Sequence, residues 1–300
     1  MLRGVLLPDV VLLFANILYS TSYVASRVVL ETVPPALLAF VRLACGALIL
    51  LGSCRGRLRL GPPATVTPGD RWRIAGMGVV GFAAAFALSH WGILLSTAVN
   101  AALLIIVEPV AVMVLSPVML GERLSPRETF GAALAVVGAV LVVVNGIPGL
   151  SGHLVPHGQG DALLVLAGLA YGAYSLLGRD VLLRHDPLRV TTHSILWGVV
   201  AMVPLVALEF PGRPPIGWSL GVLLGVGYLS VVITAFGYLV WNWALARIPA
   251  PRAAIFLSVQ PIVGALLGVL LLDEPFTLFT ATGGALIVAG LLLTVRHAPD

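Results

Sequence analysis

Charge is what this sequence has least of. Only 10% of its 300 residues are Asp, Glu, Lys or Arg, while 59% are hydrophobic and the mean hydropathy is +1.05. A soluble domain carries about 25% charge, and a large share of any folded surface stays exposed. So much apolar surface cannot be hidden from water, and the expected solvent is lipid. Cysteine is scarce too. Cys45 and Cys54 are the only two and lie nine residues apart on one predicted helix, a separation of about 13 Å, too long for a disulfide. They offer no metal-binding spacing. No GxxxxGK[ST] phosphate loop is present, which argues against an ATP-driven pump, and no HExxH, GxSxG or paired-Cys pattern suggests an enzyme. No cofactor or metal is expected. The small net charge, +4, is carried by arginines in short loops, which suits membrane orientation better than nucleic acid.

What is there is apolar sequence in continuous runs. Backbone in lipid must satisfy its own polar groups, as helices or a closed barrel. Barrels need short alternating segments; these runs are the length of membrane-crossing helices, about 20 residues. Ten spans are predicted, near 9–30, 35–53, 72–95, 99–120, 127–145, 161–180, 190–209, 217–243, 252–272 and 276–295. The first follows Arg3 without a small-residue cleavage site and is taken as a span, not a signal peptide. Alternate loops carry the arginines: Arg55, Arg57, Arg59, Arg71 and Arg73; Arg123 and Arg127; Arg184 and Arg189; Arg247 and Arg252. The intervening loops are nearly bare. The positive-inside rule then places both termini in the cytoplasm and the chain in the plasma (inner) membrane. The lipid bilayer and a small-molecule substrate are the expected partners. Oligomeric state is left open, a monomer being compatible with the sequence.

A shift of 152 residues lays the sequence on itself: Tyr19 on Tyr171, Arg27 on Arg179, Pro35 on Pro187, Trp91 on Trp243, Glu122 on Glu274, Gly131 on Gly283 and Gly138 on Gly290. The halves, 1–147 and 157–298, hold five spans each. Five is odd, so the second half enters from the opposite side, the inverted repeat of many secondary transporters. "WALARIPAPRAA" (243–254), Pro261, "LLLDEPF" (270–276), "VRLACGALIL" (41–50), Pro109 and "LGERLS" (120–125) form a doubled pattern. It resembles the EamA-type branch of the drug/metabolite transporter superfamily over essentially the whole chain. The resemblance implies an all-α polytopic membrane protein, ten helices as two inverted five-helix repeats around a central cavity. It also implies secondary-active export of small metabolites, amino acids or drugs by alternating access. Asp273-Glu274 stands where that family usually has Gly-Glu. A passive channel or facilitator, or an intramembrane enzyme acting on lipid, are the alternatives.

Ionisable groups at membrane depth are functional-site candidates. In "IIVEPVAV" (105–112), Glu108 lies about nine residues into span four, about 14 Å deep in a ~30 Å core. It is a candidate proton carrier or contact for a cationic substrate. Arg42 lies at similar height in span two and is expected either to pair with Glu108 or to bind a substrate carboxylate. The repeat partner of Glu108 is Gln260, again directly before a proline. Pro109 and Pro261 interrupt helical hydrogen bonding at matching depths and are hinge candidates. Tyr19 and Tyr23 on span one, and Tyr171 and Tyr174 on span six, are expected to line the cavity, with His90, Trp91 and Trp243 completing the set. Glu122 and Glu274 are expected in water at span ends, and "HGQGD" (157–161) in a loop with no partner. "GLAYG" (168–172) and "GALLG" (264–268) are expected to pack helices closely.

Overall fold

The computed structural model describes residues 2–57, 67–120, 125–144, 157–211, 216–238, 240–241, 256–257 and 259–295. These are helical throughout, apart from short turns. The spans are α1 (Leu2–Leu30), α2 (Pro35–Arg57), α3 (Pro68–Leu95), α4 in two pieces (α4a, Ala98–Leu104; α4b, Val107–Leu120), α5 (Pro126–Val144), α6 (Gly158–Arg184), α7 (Pro187–Glu209), α8 (Leu220–Phe236), α9 (Val259–Leu272) and α10 (Leu278–Val295). Among the described residues, six helices are long and apolar enough to cross a membrane and four apolar ones are shorter. Ten spans return the chain to its starting side. Below, the side of both termini is the terminal side and the other is the far side.

The repeat is visible in the backbone. Met77–Ala84 within α3 and Leu229–Phe236 within α8 are both π-helical, and the two stretches are 152 residues apart. The same offset relates Pro35–Arg57 to Pro187–Glu209 and Val107–Leu120 to Val259–Leu272. Sequence periodicity does not reveal the π stretches. They widen the helix by one residue per turn, and the Thr234 hydroxyl accordingly donates to the carbonyl of Leu229, five residues back, at 2.9 Å.

Packing crosses between the halves: α1 against α9, α4 against α6, α2 against α7, α5 against α10. The α5–α10 contact is self-complementary. A Cβ on Gly138 would lie 2.5 Å from the carbonyl oxygen of Gly283, and one on Gly290 would lie 2.5 Å from that of Gly131. Gly131 and Gly283 are repeat equivalents, as are Gly138 and Gly290, so each contact is the other's image about a pseudo-two-fold axis. Small residues let the backbones meet where lipid provides no hydrophobic drive. Gly172 lies against Ala111 and Gly264 against Ala102, so both GxxxG patterns serve packing within the chain.

Ion pairs on the terminal side join α3 to the end of α6. Asp70 takes Arg184 at 2.6 Å and His185 at 3.1 Å, and Arg73 meets Asp180 at 2.8 Å. On the far side the ties are buried. "HGQGD" opens α6 instead of lying in an unpartnered loop. Asp161 is fully buried and accepts hydrogen bonds from Ser96 in the α3–α4 turn and from Asn100 in α4a, while His157 Nδ1 lies 2.8 Å from its Oδ2. Glu274 likewise departs from expectation. Its two carboxylate oxygens accept from the backbone N–H groups of Ala98 and Val99, both at 2.7 Å, satisfying orphan donors at the start of α4a. Glu122 lies outside the described residues.

Candidate functional site

Span four is broken within "IIVEPVAV" (105–112). The helix stops at Leu104, turns at Ile105–Ile106 and restarts at Val107. Pro109 therefore sits in the first turn of α4b and not within an uninterrupted helix, a place where its missing N–H costs little. The Ile105 carbonyl accepts from the backbone N–H of Glu108 at 3.0 Å. Pro261 follows Val259 and Gln260 in α9 as Pro109 follows Val107 and Glu108, but Phe256 and Leu257 ahead of it are helical. The break puts Glu108 in the first turn of a half-helix, where the partial positive charge of the helix start favours a carboxylate.

The two repeat-related acceptors make one contact in two versions. Ser175 donates to Glu108 at 3.3 Å, and Tyr23 donates to Gln260 at 2.8 Å. Ser175 and Tyr23 are themselves 152 residues apart. Beyond that the halves differ. The Gln260 amide also donates to Asn16 Oδ1 at 2.7 Å, so both ends of that amide are held. The place of Asn16 is taken beside Glu108 by Gly168, where a Cβ would lie 2.8 Å from Val107 and 3.3 Å from the Glu108 nitrogen. Among the described residues Glu108 is left with one long hydrogen bond. It borders a small space of about 10 Å³ shared with Ile105, Ile106, Pro109, Leu257 and Gln260, room for about one water.

Arg42 does not pair with Glu108. Its Nε donates to Thr234 at 3.3 Å, its Nη1 lies 2.9 Å from His90 Nε2, and its guanidinium sits 5.0 Å from the Phe86 ring centre. His90 Nδ1 lies 3.2 Å from the Pro35 carbonyl, which accepts its proton. Nε2 is then the acceptor facing Arg42. Thr234 belongs to the π stretch of α8.

Aromatic rings join the two charges. Phe82 contacts Tyr174 and Tyr238 edge-on at 5.3 and 5.2 Å, and Phe86 contacts Tyr171 at 6.2 Å and His90 at 6.0 Å. Tyr19 and Tyr171 lie within electrostatic range of both Arg42 and Glu108. The Tyr19 hydroxyl rests over Gly237, whose Cβ would meet it at 2.8 Å. Of the sequence candidates, Glu108, Arg42, His90, Tyr19, Tyr23, Tyr171, Tyr174 and Gln260 thus gather between the halves. Trp91 is set apart towards the far side. Its indole donates to Glu209 at 3.0 Å, and Glu209 also accepts from the Ala36 backbone at 2.8 Å. Trp243 lies outside the described residues. Sequence reasoning missed Phe82, Phe86, Thr234, Tyr238 and Glu209. Only Tyr238, falling on Phe86 under the repeat shift, offered a signal.

A broken helix, a mid-membrane charge and inverted halves define a polytopic membrane transporter of the inverted-repeat class. A family model described as the EamA-like transporter family matches residues 6–144 and again 158–296, and the chain belongs to that family. It is similar to an uncharacterized transporter of Archaeoglobus fulgidus, 26% identical over 280 residues, 93% of each chain. It is also 28% identical over 288 residues, 95% of this chain and 92% of the other, to a protein of Streptantibioticus cattleyicolor described as a "Probable terminal-alkyne amino-acid exporter". An uncharacterized protein of Pseudomonas aeruginosa is 34% identical over 257 residues, 83% of this chain and 82% of its own. A crystal structure 20% identical to this chain aligns over 98% of both with a TM-score of 0.67, a likeness of fold.

Proposed function

We propose that this protein is a secondary-active exporter of small metabolites, amino acids or drugs, working by alternating access and coupled to protons through Glu108. The halves 1–147 and 157–298 are its two moving units. Its membrane is the plasma membrane, and both termini are cytoplasmic, as the arginine-rich loops argue. The observation that carries the reading is the unequal treatment of Glu108 and Gln260. At one repeat position an amide is held at both ends. At the other, among the described residues, a carboxylate carries one long bond, and a glycine stands in the place of Asn16. A group that binds and releases a proton or cation needs such freedom, and a structural group does not. The kinship with a described amino-acid exporter supports the substrate range.

The test starts with an efflux screen of metabolites and drugs in expressing cells, with and without a proton gradient. The transported compound is then followed in proteoliposomes carrying an imposed pH gradient. Glu108→Gln, which copies the second half, is expected to keep exchange without a gradient and to lose at least tenfold in gradient-driven accumulation. Gradient-driven flux equal to wild type would remove Glu108 as the coupling group.

A further inference from the structure

Helices α1 and α8 belong to different halves and run antiparallel, touching near the far side and parting towards the terminal side. Near the far side the contact is close. A Cβ on Gly225 would lie 2.5 Å from Val29, and the Thr21 and Tyr228 hydroxyls are 2.5 Å apart. Towards the terminal side a cavity of about 290 Å³ opens between Val11, Phe14 and Leu18 on α1 and Val232, Phe236 and Val240 on and just beyond α8. Among the described residues its lining is apolar apart from one hydroxyl, that of Tyr19. The gap is written into the sequence. Its repeat mate is the α3–α6 seam, which closes through glycines: a Cβ on Gly160 would lie 2.6 Å from the Leu95 carbonyl oxygen, and one on Gly92 would lie 2.7 Å from Leu164. At the shifted positions stand Pro8 and Ala244. The mate of Gly81, against which Tyr174 packs, is Ile233, which lines the cavity. The chain carries a Cβ at each of these positions, so α1 and α8 cannot meet as α6 and α3 do.

We infer that this gap is a binding site for one acyl chain of a membrane phospholipid, drawn from the leaflet on the terminal side. Its rim faces outward, with Val10 61%, Phe14 57% and Phe236 49% exposed, and on a membrane-spanning helix that face meets lipid. Water does not suit it, since a buried water needs about 2–4 polar partners. Left empty, the lining would forfeit its dispersion contacts on that side. A dry apolar cavity of about 150 Å³ takes a benzene, so one of about 290 Å³ takes roughly ten carbons of a chain. The headgroup stays at the membrane surface and only the chain enters. Tyr19 joins this site to the buried charges: it lines the cavity and lies within electrostatic range of Arg42 and Glu108. The chain is thus a wedge at a seam between the two halves.

The test uses purified protein in nanodiscs of dioleoylphosphatidylcholine, doped with a phosphatidylcholine that carries a photoreactive diazirine in mid-chain. Crosslinked peptides are mapped by mass spectrometry. Crosslinks to 10–19 and 232–240 are expected roughly fivefold above those to the outer face of α5, where Phe130, Val137 and Val140 are exposed. Val11→Phe and Val232→Phe each fill the gap and should lower its yield roughly fivefold while leaving the α5 yield unchanged. Val137→Phe should leave the gap yield as it is. Size exclusion and thermal unfolding confirm that each variant is folded. Equal crosslinking of the two faces, or an unchanged yield in both filled variants, overturns the inference. Displacement of the crosslink by a transported compound would make the gap a substrate path and overturn it too. A disulfide between two copies of Phe14→Cys, in a background lacking Cys45 and Cys54, would put a second copy there, with the same consequence.

Discussion

Helix α6 carries two aspartates whose energetic weights should differ sharply. Asp161 has no exposed surface and gathers Ser96, two contacts from Asn100 and His157. Among the described residues Asp180 meets only Arg73, with both side chains nearly half exposed at 46% and 45%. Asp161→Ala strands donors of Ser96, Asn100 and His157 away from water. A stranded buried donor costs about 1–3 kcal/mol, so even with partial rearrangement the loss should be about 3–5 kcal/mol. Asp180→Ala should cost about 0–1 kcal/mol, as exposed ion pairs do. Purified variants would be unfolded by graded denaturant in mixed micelles and followed by helical content. Asp161→Asn, which keeps shape and accepting oxygen, should fall between. A double cycle with Asn100→Ala should return a coupling of about 0.5–3 kcal/mol. Equal stability of Asp161→Ala and Asp180→Ala would refute the claim that the far-side network ties α6 to the α3–α4 turn.

The α5–α10 contact yields a second stability test. Gly138→Ala places a methyl 2.5 Å from the Gly283 carbonyl, so it should lose about 1–3 kcal/mol, whereas Gly52→Ala, with nothing within 4 Å, should be silent; equal thermal midpoints would argue against that packing. Glu274→Ala releases the two N–H groups it caps and should cost about 0.5–2 kcal/mol, with faster hydrogen exchange at Ala98 and Val99 as the site-specific readout. The Glu108→Gln transport assay bears on function directly, and unchanged gradient-driven flux would leave Glu108 without a coupling role.

Much of the site was legible one residue at a time. Glu108 stands out because a carboxylate in an apolar run needs a reason, and Gln260 because the repeat shift lands on it. The tyrosines of spans one and six follow from helical spacing. Arg42 was legible as a buried charge but its partner was not. Depth along a helix places Arg42 and Glu108 at similar height, and says nothing about which way each helix turns. The errors over Glu274 and "HGQGD" share one cause. Both lie at span ends, where composition reads as loop and only the neighbouring helix end supplies the partner.

Composition alone determined that the chain lives in lipid, because its apolar surface has no other place to go. The period of the repeat determined ten spans in two inverted halves, because an odd number of crossings per half leaves no alternative. The tertiary structure alone decided the local shape of the helices and how the halves differ in their contacts. The π stretches, the break at Ile105–Ile106, the seat that His90 and Thr234 build for Arg42, and the freedom of Glu108 beside a fully held Gln260 all arise between helices. They depend on rotation and approach distances that no linear pattern of hydropathy records.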